Sequence, residues 1–232
     1  MTLRIGFDTD GVLADFASKF HEMEIELCGA VTRNRVVSPE EEANGPDEPD
    51  EPEVDGKTVA RQRRRRNDAV WQAICATPDF WTTLQPTDPD CVRRIHEMML
   101  RHRWEVFFIT QRPATDGDTV QRQTQRWLVE QGFDLPSVLV VPGSRGAAAG
   151  ALSLDYHVDD SPTNCVDVKS ESKAKPILIV PDGDIAIAAS ARKLGIGSAR
   201  TITECLDILE QATNARTQPK LLGRIAALVG WR

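Results

Sequence analysis

Apolar and other residues alternate through Leu3, Arg4, Ile5, Gly6 and Phe7, the period-two signature of a strand, and the alternation stops where Asp8 and Asp10 appear. The spacing then becomes helical. Phe16, Phe20, Met23, Ile25 and Leu27 supply the apolar positions of one helix, which Gly29 ends. A second helical stretch covers 58–76, with Val70, Trp71, Ile74 and Cys75 on its apolar face, and a third covers 88–101 with Val92, Ile95, Met98 and Met99. Val106, Phe107, Phe108 and Ile109 form a continuous apolar run, as expected of a strand covered on both faces, and it stops at Thr110, Gln111, Arg112 and Pro113. A helix over 119–131 follows. Strands are then expected over 138–141, 154–158 and 177–180, and further helices over 185–194 and 203–212. Strands alternating with helices imply right-handed crossovers, so the predicted fold class is α/β: a doubly wound, mainly parallel, Rossmann-like sheet with a small helical cap inserted after the first strand.

Two stretches depart from this alternation. Residues 38–55 are acidic and broken by proline, a composition that buries little and predicts an excursion from the packed structure. Arg63 to Arg66 follow it with the opposite charge. Near the end of the sequence, Leu221, Leu222, Ile225, Leu228 and Val229 share one helical stripe, which predicts an amphipathic helix that packs on its own domain or on a second copy. The expected organisation is therefore an α/β core from 1–16 and 86–215, a helical cap over 17–85 containing the acidic insert near 38–56, and a C-terminal amphipathic helix over 216–232.

Composition narrows the function classes. With 232 residues and 41% apolar content, the chain can bury one substantial core and a small appended unit. A formal charge of -7 argues against a nucleic-acid polymer as partner and leaves a phosphorylated small molecule open. The five cysteines are scattered and never form a CxxC pair, so neither a disulfide framework nor a zinc site is expected. No charged-then-apolar leader precedes the first strand, and no apolar run reaches the roughly 18 residues a membrane span needs. A cytoplasmic protein without a membrane partner is the expectation, with a homodimer as one open option.

The candidate chemistry lies at the strand tips. In an open α/β sheet the loops leaving the carboxyl ends of parallel strands are where ligands bind. Four tips carry polar groups: Asp8 and Asp10, Thr110, Arg145, and Asp159 with Asp160. Two carboxylates about 4 Å apart repel by roughly 4 kcal/mol at an effective dielectric near 20, so such a group calls for a cation or a shared proton. A DxD pair alone is a weak signal, found in glycosyltransferases and in many plain loops. An EF-hand loop is excluded, because Leu13 stands where that loop requires glycine.

The ordered set of tips resembles the haloacid dehalogenase superfamily of phosphatases and phosphotransferases. Asp8-Thr9-Asp10-Gly11-Val12 matches its first motif, the apolar strand ending at Thr110 its second, and Asp159-Asp160 its fourth; the likeness covers about residues 2 to 180. DTDGVLADF, PDFWTTLQP and HVDDSPTN look most like the branch that contains the 5'(3')-deoxyribonucleotidases. The resemblance implies a Mg²⁺-dependent phosphomonoesterase, with (deoxy)nucleoside monophosphates as candidate substrates. It makes Asp8 the nucleophile that forms an aspartyl-phosphate and Asp10 the general acid and base. Asp8, the backbone carbonyl of Asp10, Asp159 and Asp160 become the metal site, and Thr110, Gln111 and Arg145 the phosphate-binding groups. One departure stands out: the third motif normally supplies a lysine, yet no lysine occurs between Lys57 and Lys169, and Arg145 is the best-placed cation. Two alternatives remain open at this point: a catalytically weak protein of the same fold that binds a partner, and a phosphotransferase or phosphomutase sharing the first chemical step.

Overall fold

The computed structural model describes residues 2–29, 56–180 and 184–216. The acidic stretch and the C-terminal helix expected from the sequence lie outside them. The described chain forms a six-stranded, wholly parallel sheet in the order β3-β2-β1-β4-β5-β6, built from β1 (Arg4–Asp8), β2 (Glu105–Thr110), β3 (Val138–Val140), β4 (Tyr156–Asp159), β5 (Lys175–Ile179) and β6 (Gly197–Ala199). From β1 the chain moves outward to β2 and β3, then crosses back to β4 and continues to β5 and β6. The order therefore reverses between β1 and β4, which places the ligand-binding crevice of such sheets beside Asp8.

Helices cover both faces. α3 (Cys91–His102), α4 (Val120–Glu130) and α8 (Ile202–Arg216) pack on the side to which Ile5, Phe7, Phe108, Val158 and Ile177 contribute. On the other side, α5 (Arg145–Ala151), α6 (Pro162–Glu171) and α7 (Ile185–Lys193) cover Ile109, Leu154 and Leu178. Full burial of side chains such as Phe7 and Ile5 contributes about 1.5–3 kcal/mol each. Trp127 is also fully buried, and its indole N–H donates to the Leu84 carbonyl at 2.7 Å, so its polar group is not stranded.

Between β1 and β2 lie α1 (Phe16–Cys28), α2 (Gly56–Ala76) and a single 3-10 turn at Phe80–Thr82. Asp15 starts α1 by accepting a hydrogen bond from the Ser18 amide at 3.0 Å. This excursion leaves and rejoins the core at one place: the Asp15 amide donates to Gln85 O, and the Thr87 amide to Leu13 O, each at 2.8 Å. Phe16 stacks on Trp71 and Phe20 meets both rings edge-on, tying α1 to α2, and the Phe16 ring also meets Trp81. In the arginine block, Arg66 caps the end of α1 by donating to the Cys28 and Gly29 carbonyls. Arg63, Arg64 and Arg65 are solvent-exposed.

Within the described residues, the elements expected from hydrophobic periodicity form, with ends shifted by a few residues. Three others carry little periodic signal. α5 is RGAAAGA, whose buried residues are Arg145, Gly146 and Ala149, and α6 buries only Cys165 and Val168. β6 is the tripeptide Gly-Ser-Ala at the sheet edge.

Candidate active site

Asp8 ends β1 and is almost wholly buried, the residue being 7% exposed. The next residues turn tightly: the Leu13 and Ala14 amides both donate to Thr9 O, and the Gly11 amide donates back to Ala14 O. Gly11 has φ of 76°, and a Cβ there would lie 1.9 Å from Oδ2 of Asp160. Glycine thus permits both the left-handed turn and the approach of the fourth-motif loop to the first. Oxygens of Asp8, Asp159 and Asp160 all lie within 4.8 Å of one another, a spacing at which three carboxylates could hold a metal ion.

Asp159 is fully buried and held from several directions. It accepts from the Ser161 amide at 2.9 Å, from Asn164 Nδ2 at 3.1 Å on each oxygen, and from His157 Nε2 at 3.0 Å. His157 and Asp159 share a face because strand side chains alternate, a spacing visible in the sequence although the histidine was not singled out. The Asn164 side-chain amide thus orients a candidate metal ligand.

Arg145 is the first residue of α5 and is buried. Its Nη2 donates to Asp8 Oδ1 at 3.0 Å and its Nη1 to Val141 O at 3.3 Å, while its Nε lies 3.9 Å from Asp159 Oδ2 without a hydrogen-bond partner. Ser144 caps the helix through the Gly146 and Ala147 amides. Gly146 allows α5 to lie against α6, because a Cβ there would fall 2.3 Å from the Asp167 carbonyl oxygen. Small residues, rather than an apolar stripe, therefore bring the guanidinium to Asp8.

Burial pushes the Asp8 carboxyl well above the usual carboxylate range, reinforced by the negative charges of Asp159, Asp10 and Asp160 and opposed by Arg145. Asp160 reaches solvent, yet desolvation by its neighbours, followed by the charge of Asp159, pushes it up to about 6. One arginine against this carboxylate set leaves excess negative charge, which fits a divalent cation with hard oxygen ligands. The donor set therefore suits Mg²⁺: Asp8, Asp159 and Asp160 would hold it, with the backbone carbonyl of Asp10 as the further oxygen expected from the sequence.

The remaining expected groups separate. Thr110 is buried at the tip of β2, next to β1. Gln111 is exposed and its amide donates to Pro142 O at 3.1 Å, so it joins the loops after β2 and β3. The Asp10 carboxylate stands outside the three-carboxylate cluster and is gripped by Arg112. Arg112 is buried against Asp10 and Trp81. Phe80 and Trp81, beside it, are both core residues with 1% exposure. A groove of about 910 Å³ lined in part by Tyr156, Lys175 and Arg216 lies toward the opposite ends of the strands and contains none of these site residues.

No protein-family model matches the chain, and no curated protein matches it. Solved structures do. A haloacid dehalogenase-like family hydrolase from Streptococcus pneumoniae aligns over 90% of this chain and 98% of its own, with 13% identity and a TM-score of 0.52. The fold is haloacid dehalogenase-like. A hydrolase from Pseudomonas syringae aligns over 90% and 98% with 12% identity and a TM-score of 0.50. A protein assigned as a β-phosphoglucomutase from Thermotoga maritima aligns over 90% and 99% with 18% identity and a TM-score of 0.51. At identities this low the structural likeness establishes the fold alone, and the chemistry has to be argued from the side chains at its strand tips.

Proposed function

We propose that this chain is a Mg²⁺-dependent phosphomonoesterase of the haloacid dehalogenase type that works through an aspartyl-phosphate on Asp8. The observation that carries this reading is the convergence of Asp8, Asp159 and Asp160 with buried Arg145 at the reversal point of the sheet. Such a set can bind a phosphoryl group, supply a nucleophile and hold a cation.

In the first step an Asp8 oxygen attacks phosphorus as the bond to the leaving oxygen breaks, and Asp10 gives that oxygen its proton. In the second, ionised Asp10 takes a proton from water as the water oxygen attacks phosphorus and the bond to Asp8 breaks. The products are an alcohol and inorganic phosphate, with both carboxyl groups returned to their starting states. Arg145 and Thr110 receive phosphoryl oxygens; Arg145 Nε, buried and without an acceptor, is the donor best matched to an incoming oxygen. A guanidinium keeps its charge throughout and its fork suits phosphate, so it can replace the family lysine in anion binding. Mg²⁺, when bound, offsets the repulsion among the carboxylates and withdraws charge from the phosphoryl group.

Nucleoside monophosphates are the substrate class we favour, on the resemblance of the first- and fourth-motif segments to the nucleotidase branch. The test is inorganic phosphate release from an aryl phosphate with and without Mg²⁺, followed by a panel of nucleotides and sugar phosphates. Release that requires Mg²⁺ and is highest on nucleotides supports the proposal; no release from any substrate overturns it. The ion pair between Arg145 and Asp8 favours a second reading, an anion-binding protein that turns over poorly because its nucleophile is engaged. Phosphate-ester binding without Mg²⁺-dependent release would favour that reading.

A further inference from the structure

The Asp10 carboxylate is gripped along one edge of a guanidinium. Arg112 Nε lies 2.9 and 3.2 Å from its two oxygens, and Nη2 lies 2.7 Å from Oδ1. The other side of the guanidinium is anchored too: Nη1 donates to Thr124 Oγ1 at 2.9 Å. The Arg112 carbon between the three nitrogens sits 4.8 Å from the centre of the Trp81 ring. That ring is itself fixed, because the indole N–H donates to Pro113 O at 3.0 Å and the backbone N–H to Gln123 Oε1 at 3.1 Å. The side chain of Arg112 is fully buried, whereas that of Asp10 is 24% exposed.

These contacts separate the two arginines of the site. Arg145 keeps a buried donor open, while Arg112 has its carboxylate edge, its far nitrogen and one face all engaged by the protein. A carboxylate on a strand-tip turn beside a glycine would otherwise sample several rotamers. Holding a proton donor in one orientation is where a catalytic scaffold recovers much of the entropy of reaction. We propose that Arg112 is the positioning residue of Asp10, fixing it for proton transfer to the leaving oxygen without touching the substrate. Because Phe16, at the start of α1, packs on Trp81, the same clamp ties Asp10 to the helices inserted after β1. The inference rests on the phosphatase reading above.

The test compares the unmodified full chain with Asp10→Asn, Arg112→Gln, Arg112→Lys and the double variant Asp10→Asn/Arg112→Gln. Each is assayed with Mg²⁺ on an aryl phosphate, whose leaving group needs little protonation, and on an alkyl phosphate, whose leaving group needs it fully. Losing a positioned acid lowers kcat/KM for the alkyl ester on the order of 10²-fold and for the aryl ester much less. Arg112→Gln is expected to show the same bias as Asp10→Asn, Arg112→Lys a weaker one, and the double variant no further loss beyond Asp10→Asn. Equal losses on both esters, or losses that multiply in the double variant, would overturn the inference while leaving the phosphatase reading intact. Thermal unfolding checks that each variant is folded; if Arg112→Gln is not, the bias shown by Arg112→Lys decides. Failure of the phosphatase reading looks different: the unmodified protein releases no phosphate from either ester, which overturns both.

Discussion

Replacing Gly11 with Ala perturbs the candidate site at one atom. The residue has φ of 76°, and a Cβ there falls 1.9 Å from Asp160 Oδ2 and 2.5 Å from its Cγ. Contact between a methyl group and an oxygen needs more than 3 Å, so the Asp160 carboxylate must move by over 1 Å or the turn must open. Left-handed backbone costs a non-glycine residue about 1–2 kcal/mol. Gly195 supplies the control: its φ is 72°, but its nearest neighbour would be the flexible end of Lys169 at 3.5 Å. Gly195→Ala should therefore lose about 1–2 kcal/mol, or about 2–8 °C in Tm for a chain of this size, and Gly11→Ala that much plus the strain of displacing Asp160. Only Gly11→Ala should also raise the Mg²⁺ concentration for half-maximal phosphate release, because only it displaces Asp160. Differential scanning calorimetry and a metal titration read the two effects separately. Metal titrations that coincide for the two variants would refute the claim that the close approach of Asp160 to Gly11 serves the site.

Two further outcomes follow from the same carboxylates and their cation. The folded-state pKa values of Asp8 and Asp160 lie above the ordinary carboxylate value of 3.8, so between that value and about 6 the folded chain binds more protons than the unfolded one. Without metal, the contribution of these groups to stability accordingly falls as pH rises through that window, and Mg²⁺, which favours the ionised forms, should raise Tm more near pH 7.5 than near pH 5; equal increments would contradict the assignment. Arg145→Ala removes the cation paired with Asp8 and should raise KM for phosphate esters and lower kcat, whereas Arg145→Lys should recover part of the loss; activity unaffected by either change would remove Arg145 from the phosphate site.

How much was legible depended on the kind of signal each element carries. β1, β2 and β4 announce themselves because their apolar residues alternate or run together and then stop at polar tips, so Asp8, Thr110 and Asp159 could be placed on one sheet edge before any coordinates. α5 and α6 carry no comparable stripe, since they pack through Gly146, Ala149, Cys165 and Val168. Sequence pattern therefore places Arg145 only at a strand tip, although it opens a helix. His157 was visible by its two-residue spacing from Asp159, but a lone histidine within a strand gives no reason to choose it. The Arg112 clamp was least accessible. It joins residues 102 positions apart, and its geometry depends on Trp81 and Thr124, which come from two other segments. Sequence spacing describes what lies along one element, whereas the partners of a buried guanidinium are set by tertiary packing.

The central claim is that Asp8 becomes phosphorylated during turnover. The most direct measurement is an acid quench of the full chain reacting with an aryl phosphate and Mg²⁺, followed by mass analysis of the peptide containing Asp8, with Asp8→Asn run in parallel. A single phosphoryl group on that peptide, absent from Asp8→Asn and accompanied by loss of phosphate release in the variant, is the predicted result. Phosphate release that persists in Asp8→Asn at a substantial fraction of the unmodified rate, or a phosphoryl group found on another residue, would contradict it.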